Sequence, residues 1–235
     1  METAGTPLIE TRELTKVYLR KSEVQIKAVD GVNLKIYRGE FLAIVGRSGS
    51  GKTTLLNLIG TLDRPTSGAV IFEGRDLCDL SNRDLSLLRR QKVGLVFQTF
   101  NLLPALTALE NIEVALAPTR MSKEERQEKA RTLLDIFELT DRADRLPLEL
   151  SVGQQQKLAI ARALINDPVL ILADEPTGEM DPITGREIVA KLVELNRNYN
   201  VTLVVTSHGT FPCNQVDRVL FLKDGRLVSK EEAGY

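Results

Sequence analysis

Residues 46–54 read GRSGSGKTT. Gly46, Arg47, Ser48, Gly49, Ser50, Gly51, Lys52 and Thr53 satisfy the spacing G-x-x-x-x-G-K-[ST], and Thr54 follows directly. Glycines let a backbone bend until successive N–H groups converge on one anion. A helix N-terminus behind them adds partial positive charge. Lys52 suits the β- and γ-phosphate oxygens of a nucleotide. The Thr53 hydroxyl suits Mg²⁺, which takes oxygen ligands at about 2.0–2.1 Å. This chemistry needs a buried strand before the loop and a helix after it. FLAIV precedes Gly46 and TTLLNLIGTL follows Lys52, so both are expected.

Other candidates stand at the ends of apolar runs. VLILA leads into Asp174 and Glu175. There Asp174 would hold Mg²⁺ through water, and Glu175 would polarise the attacking water as a general base. VGLVFQ ends at Gln98 and VTLVVTSH ends at His208, the one histidine of the chain. Ligands of open α/β sheets bind beyond the carboxyl ends of the strands. Gln98 therefore suits a metal ligand or an orienter of water, and His208 a sensor of the γ-phosphate.

A second phosphate-binding character lies far downstream. In LELSVGQQQKLAIARAL, residues 148–164, Ser151, Gly153 and Gln154 open a helical pattern. A serine hydroxyl, a glycine N–H and a helix N-terminus are all anion donors. One chain thus carries two grips for one kind of group.

The elements that must position these residues are legible as alternating strands and helices. VNLKIYRG reads as an antiparallel strand and GAVIFEG as a strand between glycines. DLSLLRR, residues 84–90, reads as a helix. Residues 121–138 read as an amphipathic helix, with a capping box at Ser122 and Glu125 and an apolar face of Leu133, Leu134 and Phe137. TGREIVAKLVELNRN reads as a crossover helix between the buried strands VLILA and VTLVVT, and KDGR as a tight turn between two short final strands. Such alternation argues for an α/β fold with a mostly parallel sheet. Residues 100–166 break it, reading as a helical lobe inserted into the core.

Bulk properties bound the function. The 235 residues carry a formal net charge of −1, so no overall field favours nucleic acid. Cys78 and Cys213 lack metal-ligand spacing and read as reduced structural thiols. The N-terminus, METAGTPLIETRELTK, has no apolar stretch of signal-peptide length. The strongest apolar runs fall far short of the roughly twenty residues of a membrane span. A cytoplasmic protein is expected, and any place at a membrane must come through a partner.

Taken together and in this order, GRSGSGKT, VFQ, LSVGQQQ, ILADEPTGEMD and TSH resemble the ATP-binding-cassette ATPases, from about Leu8 to about Val228. The resemblance implies a RecA-like P-loop core with an antiparallel β subdomain, within one domain over 8–235. The core lobe would cover about 8–98 and 167–235, and the helical lobe about 99–166. It implies ATP and Mg²⁺ as ligands and ATP hydrolysis as the activity. It also answers why there are two grips: in this family two subunits pair head-to-tail, and the signature helix of one closes on ATP held by the other. Ser151, Gly153 and Gln154 would then contact ATP bound to the partner's phosphate loop. Tyr18 matches the aromatic that stacks on adenine, and Asp181 the loop that crosses the dimer interface. The sequence departs from the family pattern at Val152, where a signature glycine is usual, and at Gly209, where relatives often carry an acid. FPCNQ follows where relatives often continue a helix.

TFNLLPALTALENIEVAL, LNLIGTLDRPTSG and the glutamine run resemble the lipoprotein-releasing and macrolide-exporter types (LolD and MacB). That group implies a homodimer powering an integral membrane permease, for export or extraction of a lipoprotein, peptide or drug. An alternative is an FtsE-like regulator whose membrane partner transports nothing. The partner's coupling helix would sit near residues 98–112. Phe100, Leu102, Leu103 and Leu106 either face it or pack inside the helical lobe.

Overall fold

A computed structural model describes residues 5–19, 25–209 and 211–235; residues 1–4 of the N-terminal stretch and the Cys213 side chain, both considered above, lie outside the described residues. The first elements are β1 (Ile9–Leu19), β2 (Gln25–Ile36), β3 (Phe41–Val45), α1 (Lys52–Ile59), β4 (Ser67–Phe72) and β5 (Arg75–Asp76). Then come α2 (Asn82–Lys92), β6 (Val93–Val96), α3 (Ala108–Glu113), α4 (Lys123–Ile136) and α5 (Val152–Leu164). The remainder is β7 (Leu170–Ala173), α6 (Pro182–Tyr199), β8 (Thr202–Ser207), β9 (Arg218–Lys223), β10 (Arg226–Val228) and α7 (Lys230–Ala233).

The apolar runs FLAIV, LILA and TLVVTS become β3, β7 and β8, buried at every position. Strands buried on both faces are the mark of a parallel sheet covered on both sides. They form the centre of a six-stranded sheet ordered β10-β9-β3-β8-β7-β6. All its pairings are parallel except the final hairpin β9–β10. That hairpin turns through Asp224 and Gly225, both at positive φ, which suits the tight turn expected at KDGR. A separate antiparallel sheet runs β2-β1-β4-β5.

Alternation along each central strand sends successive side chains to opposite faces. Phe41, Ala43, Ile171, Ala173, Leu203 and Val205 join one core, together with Ile112 of α3, Leu134 of α4, Ile160 of α5 and Leu192 of α6. Leu42, Ile44, Leu170, Leu172 and Val204 join the other, with Leu55 and Ile59 of α1 and with Leu14 and Val29 of the antiparallel sheet. The parallel sheet is therefore clamped between helices and a second sheet. At about 25 cal/mol per Å² of apolar area removed from water, this double burial is the main force fixing the strands.

The stretch 100–166 holds α3, α4 and α5 with short 3₁₀ turns and, among the described residues, no strand. The four apolar residues weighed as partner-facing or lobe-packed divide: Leu102 packs on the core, Phe100 and Leu106 are half-buried, and Leu103 is exposed. Cys78 is exposed and unpaired, a surface thiol rather than a core one.

Candidate active site

The phosphate-type loop leaves β3 at Val45 and enters α1 at Lys52. Gly51 sits at φ +104, and a Cβ there would collide with the carbonyl of Ala28; only glycine meets both demands. Gly51 also makes α1 unusual. Ser81, Thr107, Ser122, Ser151, Asp181 and Ser229 cap the other α-helices of the described residues with side-chain oxygens, whereas α1 has no side-chain cap; like α5 and α6, it has no acid in its first turn. Its amino-terminal N–H groups face the loop with their partial positive charge uncompensated by the protein. The Ser50 hydroxyl, buried beside them, has no hydrogen-bond partner. A buried polar atom without a partner costs on the order of 1–3 kcal/mol, so this loop is built to receive an acceptor.

The other strand ends converge on it. Val45 of β3 pairs with Ser207 of β8, and Val205 of β8 with Ala173 of β7. Residues following these strands are thus level with the loop. Lys52 is 4% exposed, and its Nζ donates to the carbonyls of Gly46 (2.8 Å) and Arg47 (3.2 Å). The same Nζ lies 3.3 Å from Oε1 of Glu175. The other carboxylate oxygen of Glu175 meets Nε2 of His208. Glu175 is buried and held at φ +47, its carboxylate between a lysine and an imidazole.

Thr206 fixes both acids. Its hydroxyl donates to Oδ1 of Asp174 (2.6 Å) and accepts the N–H of Glu175 (2.9 Å). Nothing in the sequence singled it out. A threonine inside an apolar strand run reads as a β-branched filler.

Gln98 stands two residues past the end of β6, so the strand is shorter than VGLVFQ suggested. Its amide donates to Glu179 (3.0 Å), tying it to the loop after Glu175. An open groove of about 360 Å³ is lined by Ser48, Gly49, Gly51, Lys52, Thr53 and Thr54 together with Gln98, Glu175 and His208. Ile26, Lys27 and Ala28 of β2 complete its wall. Asp174 stands beside this groove through Thr206 and Glu175.

Tyr18 is not a groove residue. It is paired across the sheet with Ile26, which is, and directly paired residues share a face. Its hydroxyl donates to Asp63 (2.7 Å), and Nζ of Lys16 lies 5.0 Å from the ring centre. Burial first, and then the Asp63 carboxylate, push the Tyr18 phenol above its ordinary range. Burial raises Asp63 as well, but the Lys16 ammonium, the Tyr18 hydroxyl and the Arg64 amide outweigh it and hold the carboxyl below the usual range.

Ser151, Gly153, Gln154 and Asp181 are likewise absent from the groove wall. Ser151 opens α5 in a reciprocal box with Gln154: the Ser151 hydroxyl accepts the Gln154 N–H (3.3 Å), and the Gln154 side chain accepts the Ser151 N–H (3.0 Å). Both are therefore working parts of a helix cap, and Val152 beside them is 43% exposed. Asp181 caps α6, accepting the N–H groups of Ile183 and Thr184 and the Thr184 hydroxyl (2.5 Å). That hydroxyl, followed by the two N–H groups, holds the Asp181 carboxyl below its usual range.

Comparison with known proteins agrees with this geometry. Residues 29–178, more than half the chain, match the family model described as ABC transporter. An ABC transporter ATP-binding protein of Thermotoga maritima is 44% identical over 97% of this chain and 96% of its own length. MJ0796, an ABC transporter ATP-binding protein of Methanocaldococcus jannaschii, is 46% identical over 96% and 97%. A solved structure of that cassette, described as dimeric, post-hydrolysis and bound to ADP and Pi, superposes with a TM-score of 0.87 at 44% identity, covering 94% of this chain and 97% of that one. The macrolide export ATP-binding/permease protein MacB of Syntrophobacter fumaroxidans is 42% identical over 97% of this chain, which spans 32% of that longer protein.

Proposed function

The chain belongs to the ATP-binding-cassette family and is an ATPase of that family, and from that premise we propose that it forms a homodimer around ATP and powers a membrane permease of the MacB or LolCDE kind. The observation that carries this reading is the loop at α1. Its helix is left uncapped, its Ser50 hydroxyl is buried without a partner, and Lys52 and Glu175 stand in the same groove. In this reading Gly46, Ser48, Gly49, Ser50, Gly51, Lys52, Thr53 and Thr54 hold the phosphates. Thr53, Gln98 and Asp174 offer the oxygen donors that suit Mg²⁺. Bound there, the metal supplies neutralisation of charge on the phosphate oxygens.

The remaining work falls to the protein's own groups. Glu175 accepts the proton of the attacking water. His208, already in contact with that carboxylate, holds it in place and faces the terminal phosphate. Thr206 orients the Asp174–Glu175 pair from behind. Tyr18, on the same sheet face as Ile26, supplies the platform for the base.

Ser151, Gly153 and Gln154 lie outside their own groove, as a grip on a partner's ATP requires. The MJ0796 cassette, described as dimeric, supports the pairing of two copies. In this reading the core lobe spans 8–98 and 167–235 and the helical lobe 99–166. Among the described residues no helix is long and apolar enough to cross a membrane. The permease would hold the ATPase on the cytoplasmic face, against the partly exposed apolar segment at Phe100–Leu106. Similarity to a protein named for macrolide export favours export over an FtsE-like relay.

The test is Glu175→Gln. It should bind ATP, fail to cleave it and elute as a dimer with ATP and Mg²⁺ on a sizing column. A variant that stays monomeric under those conditions removes the role given to Glu175.

A further inference from the structure

The His208 loop is held from two sides. From inside, the buried Ser207 hydroxyl accepts the N–H groups of Gly209 (3.2 Å) and Phe211 (3.3 Å). From outside, it is met by residues 229–235. Ser229 and Glu232 cap α7 reciprocally, and Lys223 of β9 donates to the carbonyl of Glu232 (2.8 Å). Gly234 ends the helix in the left-handed conformation. This delivers Tyr235 to the loop. Its hydroxyl donates to the carbonyl of His208 (3.2 Å), and its ring lies 5.7 Å from that of Phe221.

Gly209 fits this contact and little else would. It sits at φ +106, and a Cβ there would stand 2.6 Å from Cε1 of Tyr235. Such a φ is strained for any other residue, and the ring occupies the space a side chain needs. The departure noted in the sequence at Gly209 thus has a physical partner twenty-six residues on, in Tyr235. The chain of contact continues inward, from Tyr235 to the His208 backbone, from the imidazole to Glu175, and from Glu175 to Lys52.

We propose that Tyr235 is a positioning residue for the His208 loop, and that Gly209 is glycine to admit its ring. Residues 229–235 then set how His208 is presented to the phosphate groove. This rests on His208 facing the terminal phosphate of ATP.

Steady-state ATPase assays on the purified chain test it. Tyr235→Ala should lower kcat about three- to tenfold, the effect of one hydrogen bond with its packing, and leave KM for ATP within about twofold. Tyr235→Phe keeps the ring and loses the hydroxyl, so it should fall between Tyr235→Ala and the parent. It also carries the test if circular dichroism shows Tyr235→Ala unfolded. Gly209→Ala should cost more than either, and less when introduced into Tyr235→Ala, because the obstructing ring is gone. Parental kcat in both Tyr235 variants, or a Gly209→Ala effect of equal size in both backgrounds, overturns the proposal. His208→Ala separates the two layers. If it turns over normally, the reading of His208 fails and the proposal falls with it. If it is inactive while the Tyr235 variants are unimpaired, the positioning role alone fails.

Discussion

At the scale of single residues, the site depends on groups whose roles are indirect. Thr206 touches both acids through one hydroxyl, donating to Asp174 and accepting from Glu175. Thr206→Val keeps the shape and removes both bonds. It should lower kcat roughly tenfold, because an unmet buried N–H and a freed carboxylate together cost on the order of 1–3 kcal/mol of organisation. Thr206→Ser should recover most of that loss in the same ATPase assay. Asp63 gives a pH-dependent case. Its carboxyl titrates below the ordinary value of 3.8 in the folded chain, held down by Lys16, Tyr18 and Arg64 against the opposing effect of burial. A depressed acid stabilises the fold above its unfolded pKa, and that stabilisation is lost as pH falls through the folded pKa. Asp63→Asn should therefore be less stable than the parent by about 1 kcal/mol at neutral pH, the modest value of a partly exposed pair. Urea denaturation should show the gap closing as pH drops below 3.8. The residues proposed to act on the nucleotide were legible because they stand in fixed spacing at the ends of apolar runs. Thr206 and Tyr235 were not, because a buried hydroxyl and a surface aromatic gain their meaning only from what folds against them.

At the scale of elements, legibility followed how strongly the local sequence commits. The buried strands β3, β7 and β8 were visible because their centres are short apolar runs, FLAIV, LILA and LVV. The α4 cap was visible at Ser122 and Glu125, and both halves of the box form. Ser122→Ala should cost about 1 kcal/mol of unfolding free energy by chemical denaturation, with ATP turnover unchanged. The same box at Ser151 and Gln154 was read for phosphate binding and not for capping, although the S-x-x-Q pattern is present. Asp181 likewise extends α6 back to Pro182, two residues before the helical pattern becomes apparent. The two-residue β5 and the four-residue α7 carry too few positions for any periodicity to register. The second duty proposed for Ser151, on a partner's ATP, has a measurable consequence. Ser151→Ala should lose both about 1 kcal/mol of stability and part of the turnover, whereas a pure cap such as Ser122 should lose only the first.

At the scale of the whole molecule, the phosphate-type loop and the proposed second grip belong to different elements, α1 and α5. The loop at α1 lines the groove with Glu175 and His208; the start of α5 does not. In the proposed reading a single copy presents one half of a site on each of two surfaces. Two copies related by a two-fold axis complete each other twice, since a closed symmetric pair repeats every contact. Substitutions that disable different halves should then rescue one another. Lys52→Ala leaves a chain with a signature helix but no working loop, and Ser151→Arg leaves the reverse. Each alone should be inactive, with ATP binding lost in the first and kept in the second. Mixed in equal amounts, half the dimers are hybrids, and each hybrid holds one intact composite site beside one that is doubly damaged. ATPase activity should reappear on mixing, up to about a quarter of the parental rate per chain. The recovery should depend on total protein concentration, because it requires association. Activity that never exceeds the sum of the two separate variants would place both halves in one chain, and the head-to-tail pair would have to be given up.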